Sequence, residues 1–277
     1  MEVSGVHGIS TREEFRSIRL GDRRLDKRFL RVVESLFDSP NCSINEAMGE
    51  WASAKAAYRL FDHEELTEER VLAAHRKPLK ERVRGEKNIL VVQDTSSLTY
   101  TSHTGTMGLG SVAFGPRGKS SQGLFMHTAY VLKEDGEPQG ILDQVMWSRA
   151  ENAAVGHEMW NENNCWLKCL RFGQELRGEG TEARLTYICD REGDFWDLMS
   201  EIERQKNFFI IRLVEQRCLK NTLKEWFAQS PILGETIVEM EICRKTGESR
   251  YHQERKWEEI TFCLQIVKMD LKRTSYN

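Results

Sequence analysis

The chain has 277 residues, 39% of them hydrophobic and 30% charged, with a net charge of −3. Such a length supports a large core or several subdomains, and the composition is that of an ordinary globular protein rather than a disordered or fibrous one. No run approaches the ~18 consecutive apolar residues of a membrane helix, the N-terminal MEVSGVHGISTREEF lacks an apolar signal core, and the slight acidity argues against a protein that coats nucleic acid non-specifically. A cytoplasmic location and no membrane partner are therefore expected.

The first predicted elements are helices, over residues 11–85. Arg12, Arg16, Arg19, Arg23, Arg24, Lys27, Arg28 and Arg31 make one basic stretch in an otherwise balanced chain. Leu25, Phe29, Val32, Val33, Leu36 and Phe37 recur at helical spacing, and Ser39-Pro40-Asn41 ends that helix. A second helix is expected over 52–61, packing through Ala54, Ala57, Tyr58 and Phe61. A third is expected over 67–83 with Thr67 as its N-cap.

The pattern changes at Asn88. Ile89-Leu90-Val91-Val92 is a short apolar run suited to a strand buried on both faces, ending at Asp94. Residues 101–122 are rich in Gly, Ser and Thr and read as a loop. Strands follow over 124–132 and 140–147, joined by a turn at Gly136-Glu137-Pro138, then a helix over 158–172. A buried strand over 185–189 ends at Asp190; a helix (195–204, with Asp194 as its cap) and a strand (208–211) follow. Residues 236–242 and 260–269 read as strands with a polar stretch between them. The central order suits an α/β layer fold with a mixed sheet.

Two strands thus lead into aspartates, ILVVQD at Asp94 and LTYICD at Asp190. Sheets of this class gather chemistry at the carboxyl ends of strands, and neighbouring carboxylates there repel unless a cation lies between them. Hard oxygen ligands select Mg2+ or Mn2+, which activate water in phosphodiester chemistry. The competing reading is that an aspartate after a strand is a turn or cap residue.

The wording around these aspartates adds to this. LGDRRLDKRF (20–29), AAYRLF (56–61), QDTSSLTY (93–100), GLFMHT (123–128), CDREGD (189–194) and FFIIR (208–212) stand in this order. Together they resemble the bacterial insertion-sequence DDE transposases, the family of the transposon-five transposase, over residues 12–215. The resemblance implies a ribonuclease-H-like catalytic core at 87–220, a small helical DNA-binding domain at 1–86 before it, and a partial β-rich insertion at 221–277. It implies Asp94 and Asp190 as catalytic, metal-binding carboxylates holding Mg2+ or Mn2+. Arg23, Arg24, Lys27, Arg28, Lys55, Arg59 and Arg212 would contact DNA, the partner being double-stranded transposon ends. Pairing of two copies in a synaptic complex is left open.

The family's third carboxylate, a glutamate in Tyr-x-x-Arg-x-x-x-Glu, is not found. Residues 251–259 (YHQERKWEE) place Glu258 seven after Tyr251, but Glu254 stands where arginine belongs. The expectation is a truncated transposase for cut-and-paste transposition. The alternative is an inactive remnant that only binds element-end DNA. A host nuclease of ribonuclease-H type is a third reading.

Other signals carry less. FGPRGKS (114–120) has Ala113 where a nucleotide P-loop needs glycine. Cys165 and Cys169 suit buried thiols better than a zinc site. His127 reads as a hydrogen-bonded core histidine, Trp147, Trp160, Trp166 and Trp196 as packing residues, and Trp226 and Trp257 as packing with base stacking as the rival reading.

Overall fold

The computed structural model describes residues 10–100, 102, 105–114, 120–149, 162–177, 183–212, 232–245 and 253–265. They fall into two compact units, Met1–Leu213 and Val214–Asn277.

The first unit begins with helices α1 (Thr11–Glu14), α2 (Arg23–Asp38), α3 (Ile44–Met48), α4 (Trp51–Phe61) and α5 (Glu68–Arg82). Their starts are written in capping chemistry. Asp22 caps α2 by accepting the Arg24 N–H at 2.8 Å. Ser43 and Glu46 form a reciprocal capping box on α3, and Thr67 caps α5 as expected. Gly49, at φ 72°, turns the chain from α3 into α4. Ile18, Leu20, Phe29, Val32, Ala57, Leu60 and Ala74 close a small core among these helices. Phe37, expected on the packing face, is 64% exposed; it lies in the last turn of α2.

Pro78 sits inside α5. Having no N–H, it cannot satisfy the carbonyl four residues back, that of Ala74. The Ser17 hydroxyl donates to that carbonyl instead, at 3.3 Å.

The sheet follows, with strands β1 (Asn88–Thr99), β2 (Gly110–Phe114), β3 (Ser120–Lys133), β4 (Pro138–Trp147), β5 (Arg184–Cys189) and β6 (Phe208–Ile211). Strand β3 pairs antiparallel with β1 on one side and with β2 and β4, in tandem, on the other. Strands β5 and β6 extend the sheet in parallel beyond β1. The parallel strands are reached through helices α6 (Asn163–Cys169), α7 (Gly173–Arg177) and α8 (Trp196–Arg204). Trp166, Leu170, Leu176, Leu198 and Ile202 join Ile89, Val91, Val131, Leu185 and Tyr187 in the main core.

Several expectations need correcting. Strand β1 is not a four-residue run ending before Asp94. It continues to Thr99, because Thr95 to Thr99 go on pairing with His127 to Gly123. Its burial alternates rather than covering both faces. The loop expected at 101–122 contains β2. Of FGPRGKS, Phe114 ends β2 and Ser120 opens the antiparallel β3, where a P-loop would lead into a helix; residues 115–119 lie outside the described residues. The N-cap of α8 is Phe195, not Asp194. Of the helix expected at 158–172, residues 158–161 lie outside the described residues, as do Trp160 and Trp226.

Helix α5 lies against β4 through polar contacts as well as apolar ones. His75 Nε2 accepts the Ile141 N–H at 2.8 Å, so the ring proton is on Nδ1, which donates to Glu14 at 2.6 Å. Arg82 holds the other side of Glu14 at 2.7 and 3.0 Å. Nearby, the fully buried Asp143 of β4 lies 3.6 Å from Arg76 and 3.5 Å from Arg171.

The second unit contains strands β7 (Ile232–Lys245) and β8 (Gln253–Gln265), paired antiparallel. Residues 253–259, expected to belong to a polar stretch between two strands, are part of β8. Glu258 therefore stands in a strand, opposite Met240, and not on a helix of the kind that carries the resembled family's third glutamate.

Candidate functional site

Asp94 lies within β1 and Asp190 directly follows β5. The parallel register ends at Gln93 opposite Cys189, so the two aspartates come next, side by side on strands about 4.8 Å apart. Asp94 is exposed and Asp190 half-buried. Alternation puts Asp94 on the face of Leu90 and Val92, opposite to Gln93 and Thr95. Asp190 caps a 3-10 turn (Arg191–Gly193), accepting the Glu192 N–H at 2.8 Å. Among the described residues nothing hydrogen-bonds or pairs with the Asp94 carboxylate.

Glu192 is drawn into the same field. Partial burial, and then the negative charges of Asp190, Asp94 and Glu162, hold its carboxyl above the usual carboxylate range, with Arg191 opposing. Carboxylates gathered this way favour a cation between them, and their oxygens are the donors that Mg2+ or Mn2+ selects. Asp94 and Asp190 thus fit as two ligands of such an ion. Among the described residues no three His, Cys, Asp or Glu side chains form a group able to hold a metal ion alone. Water or a nucleic-acid phosphate would have to complete the sphere.

A cleft of about 450 Å³ opens on the Thr95 face of β1, the face opposite Asp94, lined by Thr95, Ser97, Phe125, Arg149, Glu162 and Glu192 among others. Phe125 stacks on Trp147 at 5.4 Å. The Arg149 guanidinium rests on the outer face of Phe125, 4.5 Å from its centroid, and pairs with Glu162 at 2.9 Å. Neither Arg149, Glu162 nor Glu192 was singled out by sequence reasoning as a site residue. Only CDREGD, which contains Glu192, carried a signal.

His127, fully buried, lies against Thr95 and Trp166, both of which line the cleft. Its Nδ1 is 2.9 Å from Thr95 Oγ1 and its Nε2 is 3.0 Å from Gln93 Oε1. With the Gln93 oxygen accepting, Nε2 carries the proton and the Thr95 hydroxyl donates to Nδ1. Trp166 packs against the ring at 4.4 Å. Burial pushes the His127 pKa down to about 4. The expected core histidine is thus found, held by two neighbours of Asp94. Cys165 and Cys169 are buried thiols; burial raises Cys165 to about 12 and Cys169 further. Trp147 and Trp166 are core residues, 6% and 3% exposed.

The basic residues lie elsewhere. Arg23, Arg24 and Lys27 are exposed on α2, with Arg28 half-buried. Arg24 is shared with Asp22 at 2.8 Å, a surface pair weak enough for a phosphate to replace. Lys55 and Arg59 are exposed on α4. Spacings of four, three and one place Trp51, Lys55, Tyr58 and Arg59 on one stripe of that helix, with Trp51 76% and Tyr58 45% exposed. Sequence reasoning missed α3 and Trp51. Between them Gly49 makes the turn from α3 into α4, whose exposed face carries both aromatic and basic side chains. Arg212 is exposed at the end of β6, its N–H bonded to the Cys189 carbonyl at 3.1 Å.

Residues 10–66 match the model of a transposase DNA-binding domain. The match spans α1 to α4 and the turn before α5, and it supports DNA as the partner of this helical part. No curated protein matches the chain. Among the described residues no helix is long and apolar enough to cross a membrane.

Proposed function

We propose that the chain is a polypeptide of a cut-and-paste DNA transposase of the DDE type, which binds element ends through α2 and α4 and processes phosphodiesters at Asp94 and Asp190. The observation that carries this reading is the adjacency of those two aspartates, on neighbouring parallel strands, in a chain whose N-terminal segment matches a transposase DNA-binding domain. The sheet order β4-β3-β1-β5-β6, antiparallel on one side of β1 and parallel on the other, is the order expected of a ribonuclease-H-like core, and supports the same reading.

In this reading Mg2+ or Mn2+, when bound, activates the attacking oxygen and stabilises the leaving one. Asp94 and Asp190 hold it from neighbouring strands. Arg23, Arg24, Lys27 and Arg28 of α2 position the duplex through phosphates, and Lys55 and Arg59 do so from α4 beside the exposed Trp51.

A second reading is a protein that binds element ends without cutting them. The observation in its favour is that no group of three metal-ligating side chains exists among the described residues. A nicking assay separates the two, using duplexes that carry the inverted repeats flanking the coding sequence, with manganese. Strand cleavage lost in both Asp94→Asn and Asp190→Asn is the result expected of the transposase. Binding of the same duplex with no cleavage by the unaltered chain would establish the second reading.

A further inference from the structure

Strand β1 buries Ile89 and Val91 on its inner face, and the next inward position is Gln93, only 1% exposed. Opposite it on β3 the inner face runs Val131, Ala129 and then His127, 0% exposed. Two polar side chains thus stand where the pattern of both strands calls for apolar ones. Burying them costs free energy unless their hydrogen bonds are made, and the Gln93 Nε2 has no partner among the described residues. Apolar residues of similar volume would pack here at lower cost. Local departures of this kind concentrate where function requires them.

What the two polar groups accomplish is geometric. The His127 ring reaches both residues that flank Asp94 in sequence: Gln93 through Nε2 at 3.0 Å and Thr95 through Nδ1 at 2.9 Å. Trp166 holds the ring from the helix side at 4.4 Å. Asp94 points to the opposite face, so the bracket fixes the strand from behind the carboxylate.

We infer that Gln93, His127 and Thr95 form a positioning bracket that aims the Asp94 carboxylate at a divalent cation. The inference rests on the metal reading of Asp94 and Asp190. His127 and Thr95 are positioning residues here and touch neither the ion nor DNA. Because the ring has one donor and one acceptor nitrogen, the bracket depends on a hydroxyl at position 95, not on its volume.

The experiment measures manganese binding to the full chain from the paramagnetic resonance signal of free Mn2+, without DNA and without turnover. The variants are Thr95→Val, which keeps volume and loses the hydroxyl, and Thr95→Ser, which does the reverse, with Asp94→Asn as the reference. All are compared well below their melting temperatures. Thr95→Val is expected to weaken manganese binding about tenfold, as loss of an outer-sphere support does. Thr95→Ser is expected to bind like the unaltered chain. A packing role predicts the opposite ranking. Unaltered binding in Thr95→Val, or equal weakening in both variants, overturns the bracket while an effect of Asp94→Asn leaves the metal reading standing. A chain that takes up no manganese, or takes it up equally in Asp94→Asn, overturns the metal reading and the bracket with it.

Discussion

His75 of α5 and Ile141 of β4 are joined by a hydrogen bond of 2.8 Å from a backbone N–H to a ring nitrogen. It is a contact between the helical part and the sheet, and it forms only because Gly140 lets the imidazole come close. A Cβ at position 140 would stand 2.7 Å from His75 Nε2, and the residue has φ +145°. Gly140→Ala is therefore expected to destabilise the first unit by about 2 kcal/mol or more, through both clash and backbone strain. Chemical denaturation followed by tryptophan fluorescence reads the loss.

Acid should unfold the protein in two windows. Burial lowers His127 to about 4 from its usual 6.5, so the unfolded chain binds that proton more readily. The corresponding stability is complete above pH 6.5 and is lost as pH falls towards 4, about 3 kcal/mol in all. Glu14 lies lower. Burial would raise it, but hydrogen bonds from His75 and Arg82 and the charge of Arg82 outweigh that and bring it to about 2 from 4.5. Its contribution is complete above pH 4.5 and is lost between there and pH 2. Urea midpoints measured from pH 7 downward should fall through both windows, and Glu14→Gln should flatten only the lower one.

The Ser17 bond to the Ala74 carbonyl makes a double-mutant prediction. Ser17→Ala strips that carbonyl of its donor and should cost about 1 kcal/mol. In a Pro78→Ala background the helix regains its own amide at position 78, and the same Ser17→Ala change should cost close to nothing. Equal costs in both backgrounds would mean that the hydroxyl has some other task.

Lys55→Ala and Arg59→Ala should each weaken binding to element-end DNA and reduce the slope of log K against log salt by about 1. Trp51→Ala carries no charge change. It should weaken binding with the slope unaltered. Fluorescence anisotropy across a salt series distinguishes these outcomes.

Much of this architecture was legible because the local signals agree with the final packing. Thr67 caps α5, the apolar run at 185–189 is β5, and Asp190 follows it, each where periodicity and capping place it. The extent of β1 was not legible. Thr95, Ser96 and Ser97 look like a loop in isolation, and only pairing with β3 keeps them extended. Strand β2 was hidden for a related reason, since Gly110-Ser111 belongs to a strand through its partner and not through its own propensity. The polar bracket was half visible. His127 drew notice, but its partners came from register, which sequence alone does not provide. Glu192, Arg149 and Glu162 escaped because charged residues in turns are the commonest surface feature of any protein.

The 3-10 turn after β5 gives the two aspartates unequal freedom. Asp94 sits in a strand hydrogen-bonded on both sides, to β3 throughout and to β5 up to the residue before it. Its backbone can move only if ladders open. Asp190 belongs to no ladder and hangs at the start of a three-residue turn. Any change in the backbone separation of the two aspartates must therefore be made by Asp190. Amide exchange should show this asymmetry, with protection high at Asp94 and low from Asp190 to Gly193.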